Sequence, residues 1–334
     1  MSTPSVSPRP LTFALLRMLA DGEFHSGAAL AQQFAVSRTS VHNALQDVAQ
    51  YGVTLYSVKG RGYRLAQPVQ WLDVAQVRAA LRAPGRFLIE VADSAASSNS
   101  ELLRRAVQGA PGGTVLALEW QSAGRGRMGR SWHAGLGGSL MFSLLWRFNT
   151  GVAALSGLSL AVGLALVRVL RRLGADGVGL KWPNDVVDER GKLAGILIEA
   201  QGDMLGPSAV VVGVGLNLRL PDAVVRQVDQ PVSDLAQSLP DLPERNQLLA
   251  HLLQELADVL DVFAAAGFAG LRAEWEQAHL YQGRAVAMLL PDGSRSEGTV
   301  LGVTEAGALR VRTAAGEQVF NAGEISLRGQ RVTA

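Results

Sequence analysis

The chain has 334 residues, 48% of them hydrophobic and 18% charged, with a formal net charge of +2 and no cysteine. That length points to two or three domains, and the composition is too apolar for a disordered chain. The missing cysteines exclude disulfides, thiolate zinc sites, iron–sulfur clusters and cysteine nucleophiles.

MSTPSVSPRP, residues 1–10, lacks the basic start and apolar run of a secretory signal and reads as a disordered tail before a cytoplasmic protein. From Leu11 to Ala20 apolar residues recur at helical spacing, and Asp21-Gly22 stops the pattern. Ser26 can cap a second helix, GAALAQQF, and a third pattern, RTSVHNALQDVAQYG, follows a short turn and runs to Gly52. Helix, short turn, helix is helix-turn-helix spacing. It would offer Arg38, Thr39, Ser40, His42 and Asn43 to a DNA groove. TLYSVKGRGYRL then reads as a hairpin wing whose tip carries Lys59 and Arg61. Residues 1–84 hold eight Lys/Arg against four Asp/Glu, so a nucleic-acid partner is expected at this end. A protein-contact module with ordinary solvated charges is the alternative. Val74 to Arg82 reads as a helical connector ending at Pro84-Gly85.

Between Arg86 and His279 apolar runs of strand length alternate with longer helical patterns, predicting an α/β or α+β domain. TVLALEWQ ends in a loop where Gly124, Gly126 and Gly129 formally match GxGxxG. A dinucleotide site fails on context, because no helix follows directly and no acidic residue stands about 20 positions on. No GxxxxGK[ST] loop exists either. Arg125, Arg127 and Arg130 alternating with these glycines point instead to a loop that surrounds an anion and that ligand orders, with a plain solvated basic turn as the alternative. The uncharged stretch Gly151 to Val167 contains Ser156, Gly157, Ser159 and Gly163, too short and polar to span a bilayer, and reads as a buried helix. Lys181 ends the run GVGL ahead of a proline turn, WPND. KLAGILIE and VVVGVGLN read as neighbouring buried strands in which Gly195, Gly213 and Gly215 permit close approach of a ligand. Five scattered histidines give no metal motif, and no Ser–His–acid set is recognisable. RAVAMLLP, SEGTVLGV, ALRVRTA and EQVFNAG, separated by DG, EAG and AGE turns, read as a small all-β module.

In this order, SSN at 97–99, QSAGRGRMGRSW at 121–132, KWPND at 181–185, KLAGILIE at 192–199 and GVGLN at 213–217 closely resemble the biotin–protein ligases. The resemblance covers nearly the whole chain, the winged helix being similar to that of bifunctional members that also repress biotin synthesis genes. It implies an α+β protein of four parts after a tail at 1–10: a winged helix-turn-helix at 11–66, a linker at 67–84, a mixed α/β ligase domain at 85–279 and an SH3-like β-barrel at 280–331. The implied reaction joins biotin to ATP as biotinyl-5′-AMP and passes the acyl group to a lysine of the biotin carboxyl carrier protein of acetyl-CoA carboxylase. The implied partners are that carrier and operator DNA, with a possible ligand-dependent homodimer and no membrane. Biotin and ATP with Mg²⁺ are the implied substrates, with no prosthetic group.

By resemblance, Ser97, Ser98, Asn99 and Gln121 hydrogen-bond the ureido ring and neighbouring biotin atoms. Arg125 and Arg127, with Gly124 and Gly126, fold over carboxylate and phosphate. Trp132, Gly195 and Asn217 belong to the same biotin and adenylate site. Lys181 stabilises charge between carboxylate and α-phosphate, and Asn184 and Asp185 position Mg²⁺. Two departures stand out. Ser98 replaces a common threonine but keeps the hydroxyl, and RLPDAVVRQVDQPV lacks the tryptophan with which some repressor-type relatives cap adenine. Two other readings stay open, a biotin-sensing transcription factor without efficient ligase activity and a lipoate-type acyl-carrier ligase. With the ligase site outside the winged helix, removing residues 1–66 is expected to abolish operator binding and leave much of the biotin transfer.

Overall fold

A computed structural model describes residues 10–289, 295–321 and 326–329. The expected tail lies outside them except for Pro10, which opens α1 (Pro10–Met18). Gly22, at φ +76°, ends the segment after α1. The Ser26 hydroxyl accepts from Ala29 N to cap α2 (Gly27–Gln33), and Ser37 accepts from Ser40 N to cap α3 (Arg38–Leu45). The third helical pattern breaks: α3 stops at Leu45, and a separate 3₁₀ turn, Val48–Tyr51, closes on left-handed Gly52. Antiparallel β1 (Leu55–Val58) and β2 (Gly62–Leu65) form the wing. Phe13, Leu16, Leu30, Val41 and Leu45 make this unit's core, on the inward faces of its helices.

Leu136, from the central region, is buried in that same core, and Tyr51 meets Trp120 edge-on at 5.1 Å. The winged helix is therefore packed onto the rest of the chain. A connector follows, ending in α4 (Val74–Ala80), capped by Asp73.

The central region is built on β3 (Leu88–Ala95), α5 (Ser98–Val107), β4 (Thr114–Gln121), β5 (Ser139–Phe148), α6 (Leu158–Arg172), β6 (Gly179–Lys181), β7 (Asp185–Val187), β8 (Lys192–Gly202), β9 (Ser208–Asn217), α7 (Asp222–Val225), α8 (Arg245–Ala266) and α9 (Arg272–Ala278). One seven-stranded sheet has the order β3-β4-β5-β9-β8-β7-β6; only its β3–β4 pair is parallel. The uncharged stretch is helical only from Leu158, because left-handed Gly157 separates it from a 3₁₀ turn. Leu102, Ala106, Leu116, Leu118, Leu145 and Val211 join α5 to one face of the sheet. The larger core, with α4, α6 and α8, covers the other.

The C-terminal module is an antiparallel sheet of β10 (Ala285–Leu289), β11 (Arg295–Val303), β12 (Leu309–Thr313), β13 (Gly316–Phe320) and β14 (Ser326–Gly329), in the order β13-β12-β11-β10-β14. Its four expected strands are present and β14 is a fifth; among the described residues the ladders form an open order, without closure into a barrel. The expected DG turn falls outside the described residues. Among those residues, no helix is long and apolar enough to cross a membrane.

Candidate functional site

Two adjoining cavities lie on the α5 face of the sheet, sharing Gly126, Arg127, Trp132, Asn184 and Lys192 in their walls. The inner one is bounded by the start of α5 and the end of β4, which bring Ser97, Ser98, Asn99 and Gln121 together from 24 positions apart in sequence. Its floor is glycine because its roof is close. A Cβ on Gly215 would collide with the Trp132 indole, one on Gly213 with Asn99 Oδ1, and one on Gly195 would stand 3.0 Å from both Lys192 and Trp132. Trp132 Nε1 is buried without a hydrogen-bond partner. Gly124 is required for a different reason, since a Cβ there would meet the Trp132 carbonyl at 2.6 Å.

The expected polar residues divide into those aimed at the cavity and those committed to the protein. Ser97 caps α5 through Ser100 N. Gln121 Oε1 accepts from Ser98 N at 2.9 Å. Asn99 Nδ2 donates to Leu197 O at 3.2 Å and Glu199 Oε2 at 3.0 Å, while Asn99 Oδ1 accepts from Ser143 Oγ at 2.5 Å. Asn217 Nδ2 donates to Ser233 O at 3.0 Å and Lys192 O at 3.3 Å, so it is a strut beneath the outer cavity.

The arginine–glycine loop closes on itself: Gly126 N donates to Arg130 O at 2.6 Å and Trp132 N to Gly124 O at 2.9 Å. Arg125 Nη2 donates to Glu199 Oε2 at 2.6 Å, and Arg127 Nη1 to Asn184 Oδ1 at 3.2 Å. Burial holds the Arg127 guanidinium below its ordinary pKa, with the Asp185 charge opposing that shift. A desolvated cation of this kind gains from a ligand anion.

Lys181, at the end of β6, lines the outer cavity beside Asn184 and Asp185. Asn184 Nδ2 donates to Ile196 O at 2.8 Å, leaving its oxygen to Arg127. Lys192 Nζ lies 2.7 Å from Asp185 Oδ1, an ion pair off hydrogen-bond alignment. Among the described residues no cluster of three His, Cys, Asp or Glu could hold a metal. Asp185 places one carboxylate in the wall of the outer cavity, a donor set that would fit a Mg²⁺ held mainly by phosphate oxygens and waters. The loop 219–232 supplies an aliphatic wall, Leu220, Val224, Val228 and Val232.

Sequence reading missed Lys192, Glu199 and Ser143. Strand periodicity carried the signal for two of them: Glu199 shares a face with Gly195 and Leu197, and Ser143 is a polar residue within an apolar strand, paired with Gly213.

Elsewhere, Arg38, Thr39, His42 and Asn43 are exposed on α3, while Ser40 is half-buried with its hydroxyl 2.9 Å from that of Ser37. Lys59 and Arg61 are exposed at the wing, where Arg61 lies 4.1 Å over the Phe24 ring. His42 Nδ1, 3.3 Å from Tyr63 Oη, joins α3 to the wing.

The family model of the biotin/lipoate A/B protein ligase family matches residues 92–217, that of an HTH domain residues 12–64, and that of the biotin protein ligase C-terminal domain residues 281–328. The chain is 36% identical over 317 residues to the bifunctional ligase/repressor BirA of Escherichia coli (strain K12), covering 94% of this chain and 96% of that protein. It is also 36% identical over 246 residues to the biotin–[acetyl-CoA-carboxylase] ligase of Mycobacterium tuberculosis, covering 71% and 88%. The biotin protein ligase from Aquifex aeolicus, solved in complex with biotin and ATP, superimposes with a TM-score of 0.62 at 26% identity, covering 72% of this chain and 99% of that one.

Proposed function

This chain belongs to the biotin protein ligase family, in its bifunctional ligase/repressor branch, and on that premise we propose that it activates biotin with ATP and transfers it to a carrier-protein lysine. The observation that carries this reading is the meeting of Arg125, Arg127, Lys181 and Lys192 around two adjoining cavities. The inner cavity takes biotin, with its ureido ring toward Ser98 and Gln121 and its carboxylate toward Arg125 and Arg127. The outer cavity takes the nucleotide against the wall that holds Val224.

Two anions meet here, and the cations offset their repulsion. A carboxylate oxygen of biotin bonds to the α-phosphorus as the bond to pyrophosphate breaks. Lys181 stabilises the charge that builds up between the two groups, acting as a preorganised donor. Asp185 would help hold a Mg²⁺ brought by the triphosphate, which would neutralise phosphate charge, and Asn184 supports Arg127. In the second half-reaction the uncharged amine of a carrier lysine attacks the acyl carbon, AMP departs, and the amine loses a proton.

This reading takes the winged helix as 11–66, the linker as 67–84, the ligase domain as 85–279 and the C-terminal module as 280–331, the last as an SH3-like unit whose described ladders stay open. The exposed α3 residues and the Lys59–Arg61 wing support operator binding, which makes the chain a biotin-responsive repressor working in the cytoplasm. A pair of subunits binds the operator, since one winged helix makes few contacts and such modules use paired half-sites.

Biotin-dependent ATP–pyrophosphate exchange, run beside lipoate, tests the enzyme. Exchange with biotin alone is expected; exchange with lipoate alone, or with neither, overturns it. Lys181→Ala should slow single-turnover adenylate formation by about 100-fold or more, the usual loss for one such donor.

A further inference from the structure

Ser143 and Glu199 lie outside the set of expected site residues, yet one hydrogen-bond chain runs through both. Glu199 Oε2 accepts from Arg125 and from Asn99 Nδ2; Asn99 Oδ1 faces Ser143 Oγ at 2.5 Å; Ser143 Oγ is 2.7 Å from Ser98 Oγ. Ser143 is fully buried and Asn99 nearly so.

Donor and acceptor chemistry sets the direction of this chain from its carboxylate end. A carboxylate only accepts, as does the Leu197 carbonyl, so both must face the NH₂ end of Asn99. A flipped amide would set its oxygen against two acceptors. Asn99 Oδ1 therefore faces Ser143 and must receive that hydroxyl's single proton. With the Ser143 proton committed, the Ser98 hydroxyl donates within the protein, to Ser143 Oγ at 2.7 Å or to Gln121 Oε1 at 3.4 Å. Ser98 lines the cavity, and its oxygen is left with lone pairs alone to offer a ligand.

We propose that Glu199 is a positioning residue that, through Asn99 and Ser143, orients the Ser98 hydroxyl as an obligate acceptor, so that the inner cavity selects a ring N–H. Asn99 is then an internal strut and not a biotin contact. The same carboxylate holds Arg125, tying the ring end of the cavity to its anion end. This inference rests on the biotin reading above and deepens it by assigning the source of ring specificity.

The test compares biotin with an analogue in which one ring N–H is replaced by oxygen, by calorimetry and by single-turnover adenylate formation. The unaltered chain should prefer biotin by about tenfold or more, because an acceptor facing an acceptor loses a buried hydrogen bond. One Glu199 oxygen accepts from both Arg125 and Asn99, so Glu199→Gln, whose amide oxygen can take that place, keeps the chain; Glu199→Leu removes the acceptor and Ser143→Ala cuts the chain. Glu199→Leu and Ser143→Ala should bring the preference to within about threefold of unity, and Glu199→Gln should keep most of it. A variant that only loosens the fold weakens both ligands equally. Preference unchanged in Glu199→Leu and Ser143→Ala, whatever the affinity, overturns the inference while the ligase reading stands. No biotin binding by the unaltered chain overturns that reading and the inference together.

Discussion

The indole N–H of Trp182 donates to the carbonyl oxygen of Gly307 at 3.0 Å, a buried contact that fastens the strand end bearing Lys181 to the C-terminal sheet. Beside it, Leu280 N donates to Leu180 O at 3.0 Å. Left-handed Gly307 admits no side chain here, because a Cβ would stand 2.8 Å from Gly157 Cα and 2.9 Å from Leu160. Lys181 is thus positioned partly by a module that lies more than 100 residues further along the chain.

Trp182→Phe keeps most of the ring and removes this donor, leaving a buried carbonyl without a partner. A loss of about 1–3 kcal/mol is expected, together with a slower adenylation step at little cost in biotin affinity. Urea unfolding and single-turnover kinetics measure the two. An unchanged rate would separate the C-terminal sheet from the positioning of Lys181.

Gly215→Ala tests the floor of the inner cavity. The added methyl meets the Trp132 indole, and overpacking of this kind costs about 1–3 kcal/mol. Because the indole is the movable partner, biotin binding should weaken by roughly tenfold while the fold survives. Titration calorimetry with wild-type affinity would show that Trp132 does not roof the site.

Arg245 and Glu119 form a buried ion pair, Nη1 to Oε2 at 2.8 Å, with Glu119 wholly inaccessible. Glu119 also accepts from Leu72 N at 2.6 Å, and Arg245 donates to the Gln70 and Ser139 carbonyls. Together they hold the connector against α8. Arg245→Ala strands a buried carboxylate and should cost about 3–5 kcal/mol in guanidinium unfolding, whereas replacing both partners with well-packed apolar residues should recover most of it. A loss below about 1 kcal/mol would mean that the carboxylate finds water or a proton without disturbing the fold.

His279 stacks on Trp275 at 4.6 Å, and burial pushes its pKa down to about 4. The unfolded side chain titrates near 6.5, so the unfolded chain binds the extra proton first. The neutral imidazole's contribution is complete above about pH 6.5 and is lost as pH falls toward 4, by up to about 3 kcal/mol. His279→Gln should flatten stability between pH 7 and 5 relative to the unaltered chain. Parallel pH profiles would place the titration elsewhere.

Deleting residues 1–66 should do more than abolish DNA binding. It uncovers Leu136 and Trp120, which pack into the winged-helix core and against Tyr51. It also removes Phe13 from Trp71 and Arg17 from Asp93. The truncated chain should melt earlier and bind a hydrophobic dye, with part of its transfer activity lost. Unaltered melting and activity would restore the expectation of a freely separable module.

What sequence alone determined here is local. Caps at Ser26 and Ser37 and the strand runs TVLALEWQ, KLAGILIE and VVVGVGLN follow from side-chain size, period and backbone freedom, which a neighbourhood of a few residues already specifies. The grouping of Arg125, Arg127 and Lys181 was legible because each sits in a short distinctive motif. Only the tertiary structure decided which polar groups face the cavity and which are consumed within the protein. Asn99 and Asn217 read as ligand contacts and do line the cavities, but they are also hydrogen-bonded to Ser143, Glu199 and Ser233, partners 16 to 100 residues away. Hydrogen-bond satisfaction depends on everything a buried group touches, and sheet order brings those partners together only when the whole chain has folded.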